Sequence, residues 1–324
     1  MEIIRLGEKD HFFYQHSKTK KKLLSKDILR IKSLKIPPNY KNVIISKNPE
    51  SNIQAIGVDM KGRKQYIYNK DYINEQTEIK FCDLIKFGKK IKKIRKDINQ
   101  SLKSKFILGR FQVIYIMLFL IDSCNFRIGS EKYRKLYKTH GVTTLNKNHF
   151  KFNANSVEIK FVGKKGVLNY SKIRNKKIIE RLKILYKNFV NRDHIFNYVE
   201  NGKVFHINEK TVNNFLQKYH KMISVKMFRT WNANYFLLKI LIDLPEPQNK
   251  KECDKNVSHI IKYVANRLHH TPNVSKKSYI NNSILSLYKN DFKKFFNIIE
   301  NISKSRVPSI DRILTEFLSL LCKN

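Results

Sequence analysis

Apolar and polar positions change their spacing twice along the chain. Over the first 75 or so residues, apolar groups come in short runs, such as 43–46 and 65–68. Turn signals separate these runs: Pro37-Pro38, Asn48-Pro49 and Lys61-Gly62. This predicts a small β-rich domain over residues 1–75. From 79 to 101 the apolar positions Leu84, Phe87, Ile91, Ile94 and Ile98 recur at three- and four-residue steps, the period of a helix. The change of period near 71–77 places a domain boundary there, with a second domain over 76–324. A helix over 106–125 is apolar on most sides, so it should be central. Residues 140–170 return to an extended pattern, with a hairpin of 157–162 and 167–170 around the turn Gly163-Lys164-Lys165-Gly166. Helices are expected over 175–191, 209–224, 231–242, 257–268, 275–288, 291–300 and 309–322, with Pro245 and Pro247 marking a loop. The expected class is α+β: a small β-rich N-terminal domain followed by a larger, mainly α domain.

Charge narrows the choice of partner. The 324 residues carry 66 Lys plus Arg against 26 Asp plus Glu, a formal net charge of +40. Such an excess repels itself unless a polyanion neutralises it, and nucleic acid is the expected partner. A generic basic scaffold protein stays open on charge alone. The abundance of Lys, Asn and Ile points to AT-rich coding, which accounts for part of the excess. Hydrophobic residues make up 41% of the chain, enough for a real core. The most apolar run, 111–121, is too short to span a membrane, and residues 1–15 show no secretion signal. Cys82, Cys124, Cys253 and Cys322 lie far apart, so they read as reduced, buried thiols of an intracellular protein.

The chemistry-bearing residues are cationic. Gly163-Lys164-Lys165 lacks the remainder of a nucleotide-binding loop. No acidic cluster or histidine spacing suggests a metal site, so neither metal nor other cofactor is expected. Five segments then stand out: 62–68 (GRKQYIY), 126–129 (FRIG), 160–164 (KFVGK), 226–230 (KMFRT) and 270–279 (HTPNVSKKSY). Together and in this order they resemble the type IB DNA topoisomerases, most of all those of poxviruses. The resemblance runs from 62 to 279, with familiar flanks at 35–37 and 145–149. It implies the fold shared by type IB topoisomerases and tyrosine recombinases. It also implies a viral origin, in an insect poxvirus or another large DNA virus, and a place in the virion and host cytoplasm.

What the resemblance implies about mechanism is chemically coherent. Transesterification at a phosphodiester builds negative charge on the non-bridging oxygens, and arginine forks stabilise that charge without a metal. Arg127 and Arg229 are the implied forks, and His270 is a third donor. Tyr279, one of sixteen tyrosines, is the implied nucleophile, forming a 3′-phosphotyrosyl bond that conserves the phosphodiester energy and removes the need for ATP. Lys164 is the implied general acid for the leaving 5′-oxygen. Strand alternation over 62–68 puts Arg63, Gln65 and Ile67 on one face and Lys64, Tyr66 and Tyr68 on the other. A strand there can present Gln, Arg or Lys to base edges, and the resembling family reads a pyrimidine-rich target with this segment. Lys132, Tyr133, Lys226 and Lys276 complete the implied DNA contacts, made by a monomer that clamps around the duplex.

The chain departs from the family pattern at Ser130, Lys165, Trp231, Asn232 and His269, where Arg-Thr-Tyr-Gly becomes Arg229-Thr230-Trp231-Asn232 and Gly-His-Thr-Pro becomes His269-His270-Thr271-Pro272. Two alternatives remain. A tyrosine recombinase shares the Arg, Lys, Arg, His and Tyr logic, but usually has His where Lys226 stands and has no counterpart of 62–68. A non-catalytic DNA-packaging protein leaves the ordered catalytic set unexplained.

Overall fold

The computed structural model describes residues 2–8, 11–189, 191–304 and 309–322. The chain forms two compact units, Met1–Lys80 and Phe81–Asn324. The first is β-rich and the second is larger and mainly helical, an α+β architecture.

In the first unit the described strands are β1 (Ile3–Leu6), β2 (Phe13–His16), β3 (Lys41–Ile45), β4 (Ile53–Val58) and β5 (Lys64–Tyr68). They form one antiparallel sheet in the order β2-β1-β3-β4-β5. Helix α1 (Ser25–Ser33) interrupts the strands, an element that the short apolar spacing did not announce. Its Ile31 joins Ile3, Val43, Ile45 and Ala55 in a small core, and Ile67 packs against that core from β5. Strand β5 therefore turns Ile67 inward and leaves Lys64, Tyr66 and Tyr68 in solvent, the two-residue period of a half-buried strand.

Helix α2 (Lys70–Lys103) starts well before the predicted position, because its first turns are polar and carry no apolar stripe. Its later residues Leu84, Phe87, Ile91, Ile94 and Ile98 line the core of the second unit. Helix α3 (Arg110–Ser123) is apolar on nearly every side, and Val113, Ile114, Ile116, Met117, Leu118, Leu120 and Ile121 are buried. A short helix α4 (Glu131–Tyr137) precedes the antiparallel sheet β6 (Phe150–Phe152), β7 (Val157–Val162) and β8 (Leu168–Ile173). Helix α5 (Lys176–Phe189) follows; its predicted range includes residue 190, which lies outside the described residues. A hairpin of β9 (Asn197–Glu200) and β10 (Lys203–His206) leads to α6 (Glu209–Leu216), which stops short of the predicted 224. The remaining helices are α7 (Val225–Asp243), α8 (Lys250–Arg267), α9 (Pro272–Ser278), α10 (Asn282–Asn290), α11 (Phe292–Ser303) and α12 (Ile310–Leu321).

Two further expectations are corrected. The single helix expected over 275–288 is two helices, α9 and α10, broken at Tyr279. Asn281 is the cause: its side chain accepts from the backbone N–H groups of Ser283 and Ile284 and starts a new helix. The second correction concerns the cysteines. Cys124 and Cys253 are free and buried, but Cys82 and Cys322 form a disulfide. Their Cα atoms stand 5.9 Å apart, within bridging range, although 240 residues separate them in sequence. The bridge ties the end of α12 to α2. Among the described residues, no helix is long and apolar enough to cross a membrane.

Candidate active site

Four of the five implied catalytic residues gather at one place in the second unit, on three short pieces of backbone. Arg229 lies in the first half of α7 and is 3% exposed. Its guanidinium donates to the carbonyl of Asn125, to that of Leu268 (2.6 Å) and to His270 Nε2 (2.7 Å). Burial pulls its pKa down to about 10, with the like charge of Arg127 acting in the same direction. Arg229 also lies over the Tyr279 ring, 5.6 Å from its centre.

His270 is presented by the end of α8. His269 takes a left-handed conformation (φ 53°) there. The His269 N–H then donates to Asn266 O and the His270 N–H to Ala265 O, which closes the helix as a Schellman cap. Left-handed backbone favours glycine, the residue of the family pattern at this position. Here His269 takes the conformation and its Nε2 lies 3.2 Å from Cys124 O. Thr271 and Pro272 then start α9 by side-chain capping and a proline in the first turn. The His270 ring stacks on Tyr279, with centres 4.5 Å apart, and Nδ1 meets Ser275 Oγ at 2.9 Å.

The tautomer of His270 follows from its neighbours. Arginine only donates, so Nε2 accepts from Arg229 and Nδ1–H points to Ser275. Burial, then the charges of Arg229, Arg127 and His269, push this imidazole down to about 3, so it is neutral. The Ser275 hydroxyl can donate as well as accept.

Tyr279 sits in the break between α9 and α10. Asn234, fully buried on α7, fixes its backbone: Nδ2 donates to Tyr279 O (2.9 Å) and Oδ1 accepts from Asn281 N–H (2.8 Å). Burial alone would push the Tyr279 phenol up. The charges of Arg229 and Arg127, with hydrogen bonds from both, outweigh it and hold the phenol below its usual range. The phenolate, the nucleophilic form, is thereby favoured.

Arg127 approaches from the segment after α3. Its carbonyl accepts from Val142 N–H (2.9 Å), and that of Ile128 from Thr143 N–H (2.7 Å). The contact is so close that a Cβ on Gly141 would lie 2.7 Å from Arg127 O. The same segment donates from His140 N–H to Val162 O (2.8 Å), at the end of β7. Backbone thus links Arg127 to the hairpin that carries Lys164. Lys164 itself is exposed on the β7–β8 turn and, among the described residues, makes no hydrogen bond or ion pair. It is the one implied catalytic residue not drawn into the cluster.

Comparison with known proteins supplies the family. The pattern of the catalytic core of eukaryotic DNA topoisomerase I matches residues 62–305, and that of the N-terminal domain of bacterial DNA topoisomerase IB matches 11–59. A DNA topoisomerase 1B of Acanthamoeba polyphaga mimivirus is 35% identical, over 97% of this chain and 95% of its own length. The chain belongs to the type IB DNA topoisomerases. The DNA topoisomerase 1 of Rabbit fibroma virus (strain Kasza) is 29% identical over 89% of each chain. The DNA topoisomerase 1B of Vaccinia virus (strain Copenhagen) is 25% identical over 86% of this chain and 87% of its own. The likeness is therefore to viral enzymes of more than one kind and is not specific to poxviruses.

The implied DNA contacts of this enzyme lie outside the cluster. In the first unit, Tyr66 and Tyr68 are stacked with centres 6.2 Å apart, and both are exposed beside Lys64. Arg63 and Gln65 share one carboxylate. Asp59 Oδ2 accepts from Arg63 Nε (2.8 Å) and Gln65 Nε2 (2.9 Å), and Arg63 holds the Asp59 carboxyl down at about 2. Asp59 was not singled out from sequence, although its place before Lys61-Gly62 is a turn signal: Oδ1 accepts from the N–H groups of Lys61 and Arg63. In the second unit Lys132 and Tyr133 are exposed on α4, where Tyr133 stacks near Tyr137 (5.9 Å). Lys226 and Lys276 are exposed on α7 and α9. Asn234 and Ser275 also escaped the sequence reading. For Asn234 the signal was a polar residue inside an otherwise apolar helical run, while Ser275, in the polar stretch 272–278, gave none.

Proposed function

We propose that the enzyme relaxes supercoiled DNA by cutting one strand, letting it rotate, and resealing it, with no need for ATP or metal. Tyr279 loses its proton to solvent and its phenolate oxygen bonds to the scissile phosphorus. The bond from phosphorus to the 5′-oxygen breaks, and Lys164 supplies the proton that this oxygen takes. The 3′-phosphotyrosyl bond keeps the energy of the phosphodiester, so the 5′-hydroxyl can attack it and restore the strand. Arg127 and Arg229 stabilise the charge that builds on the non-bridging oxygens in both directions. His270 adds a donor once Arg229 turns from its Nε2 to the phosphate and the imidazole proton moves to Nε2, with the Ser275 hydroxyl then donating to Nδ1. The enzyme acts as a monomer on double-stranded DNA, reading it through Arg63, Lys64, Gln65, Tyr66 and Tyr68, with Lys132, Tyr133, Lys226 and Lys276 as further contacts. The viral relatives support a viral origin for the chain.

The observation that carries this reading is the convergence of Arg229, Arg127 and His270 on the phenol of Tyr279. The test is Tyr279→Phe, assayed on a supercoiled plasmid in EDTA with denaturing gels for a protein–DNA adduct. Relaxation and adduct should both vanish, while affinity for DNA changes by at most about 1 kcal/mol for one lost hydroxyl. An adduct formed at the wild-type rate by Tyr279→Phe, or relaxation that requires Mg²⁺ or ATP, defeats the reading.

A further inference from the structure

The helix that carries Arg229 carries Asn232 three residues later, so the two side chains share a face. Asn232 is 3% exposed, and every polar atom of its amide is used. Nδ2 donates to Asp122 O (2.7 Å) and to Asn125 Oδ1 (2.9 Å), and Oδ1 accepts from Arg95 Nη2 (3.3 Å). Asn125 is itself 2% exposed and left-handed (φ 55°), and its carbonyl is the one that Arg229 holds. Two residues further on comes Arg127. Asn232 thus bonds both the side chain of Asn125 and the end of α3, between the two arginine-bearing segments.

The far side of this amide is equally tied. Arg95, on α2, forks onto Asp122 (2.7 Å) and onto Asp311 of α12 (2.8 Å). Asp311 also accepts from Trp231 Nε1 (2.8 Å). Burial works against the charge on Arg95, but the two carboxylates hold it firmly in its charged form. In the family pattern glycine stands in place of Asn232, and glycine has no side chain with which to make these bonds.

We propose that Asn232 is a positioning residue, which holds the Asn125 carbonyl against Arg229 and fixes the spacing of Arg229 and Arg127 across the reacting phosphate. This rests on the reading of those arginines as the phosphate forks. The side-chain hydrogen bonds of Asn232 go to Asp122, Asn125 and Arg95 and none to Tyr279, so it acts through Arg229. A residue of this kind changes the rate of bond exchange and leaves DNA binding, which is spread over many lysines and arginines, nearly as it was.

The test is a double-mutant cycle on the full chain. Asn232→Gly is made alone and with Arg229→Ala, and adduct formation and resealing are timed on a labelled duplex cut by the wild-type enzyme. Asn232→Gly alone should slow both steps by about tenfold or more, and by less than about twofold when Arg229 is already alanine. Its dissociation constant for the duplex should stay within about threefold of wild type. Asn125→Gly, which suits the left-handed backbone and removes the same bond from the other side, should show the same pattern. It decides the question if Asn232→Gly does not fold. Equal slowing with and without Arg229, or no slowing in either glycine variant, overturns the proposal. An Arg229→Ala enzyme as fast as wild type overturns the reading of the site itself, and the inference with it.

Discussion

Replacing Arg229 by methionine separates what the guanidinium does for the reaction from what it does for the fold. Its pKa is lowered from the usual guanidinium range to about 10, mainly through burial. At roughly 1.4 kcal/mol per tenfold, the buried charge opposes folding by about 3 kcal/mol. A base whose folded constant lies below its unfolded one loses stability wherever the unfolded chain is charged. Below about pH 10 that loss is complete and constant, so stability near neutrality does not vary on this account. On the other side stand the carbonyls of Asn125 and Leu268, both donated to by Arg229. Left without a donor they cost about 1–3 kcal/mol each. Methionine fills much of the space with a flexible apolar chain and brings no charge. The terms largely offset, leaving a net loss of about 0–3 kcal/mol, a few degrees in Tm at roughly 2–4 °C per kcal/mol for a unit of this size. Cleavage and resealing should together fall by about 10²-fold or more, because both pass through the same charged transition state. Thermal denaturation and single-turnover adduct formation on the same preparation give the two numbers. A methionine variant that is unfolded at 25 °C would show that the guanidinium is chiefly a strut. A methionine variant with wild-type cleavage would remove Arg229 from the chemistry.

Three more outcomes are expected. Gly88→Ala should destabilise the second unit by about 1–3 kcal/mol in thermal or urea unfolding, because a Cβ there would lie 2.5 Å from both the Trp231 ring and Thr315 Oγ1; unchanged stability would mean that α2 can shift freely. An air-oxidised preparation, denatured without reductant, should offer two thiols to alkylation, those of Cys124 and Cys253, and Cys82→Ser should cost about 2–4 kcal/mol against it; four reactive thiols would refute the bridge. Lys164→Ala should slow cleavage of ordinary DNA and be rescued by a 5′-bridging sulfur, whose thiolate leaves without a proton; equal slowing on both substrates would remove Lys164 as the acid.

The helices with clean apolar stripes were legible in advance. The later part of α2 follows from the spacing of its apolar stripe, and α3 from an unbroken apolar run that marks a central helix, both local properties of the sequence. The β7–β8 hairpin was equally plain, with alternating strands around two glycines. Helix α7 was half hidden. Its first turns hold Arg229, Thr230, Asn232 and Asn234, all buried, and buried polar residues break the pattern by which a helix face is recognised. They are tolerated there because partners from α3, α8 and the Tyr279 segment satisfy most of their polar atoms, Arg229 Nε being left without a hydrogen bond among the described residues. The same fact makes the stretch a site and hides it.

The sequence by itself determined which chemistry was available: cationic residues and a tyrosine in family order, with a surplus of positive charge suited to DNA. Tertiary structure alone decided how those groups influence one another. Arg229 and Tyr279 are fifty residues apart along the chain, yet the phenol is held low by that arginine and by Arg127. His270 is neutral because its ring is buried and, beyond that, two guanidinium groups and His269 crowd it. The pairing of Cys82 with Cys322, and of Asp311 with Arg95 and Trp231, joins the last helix to the back of the site. Local pattern could not show these, because electrostatic and hydrogen-bond energies depend on distance through space, and only the closed fold sets that distance.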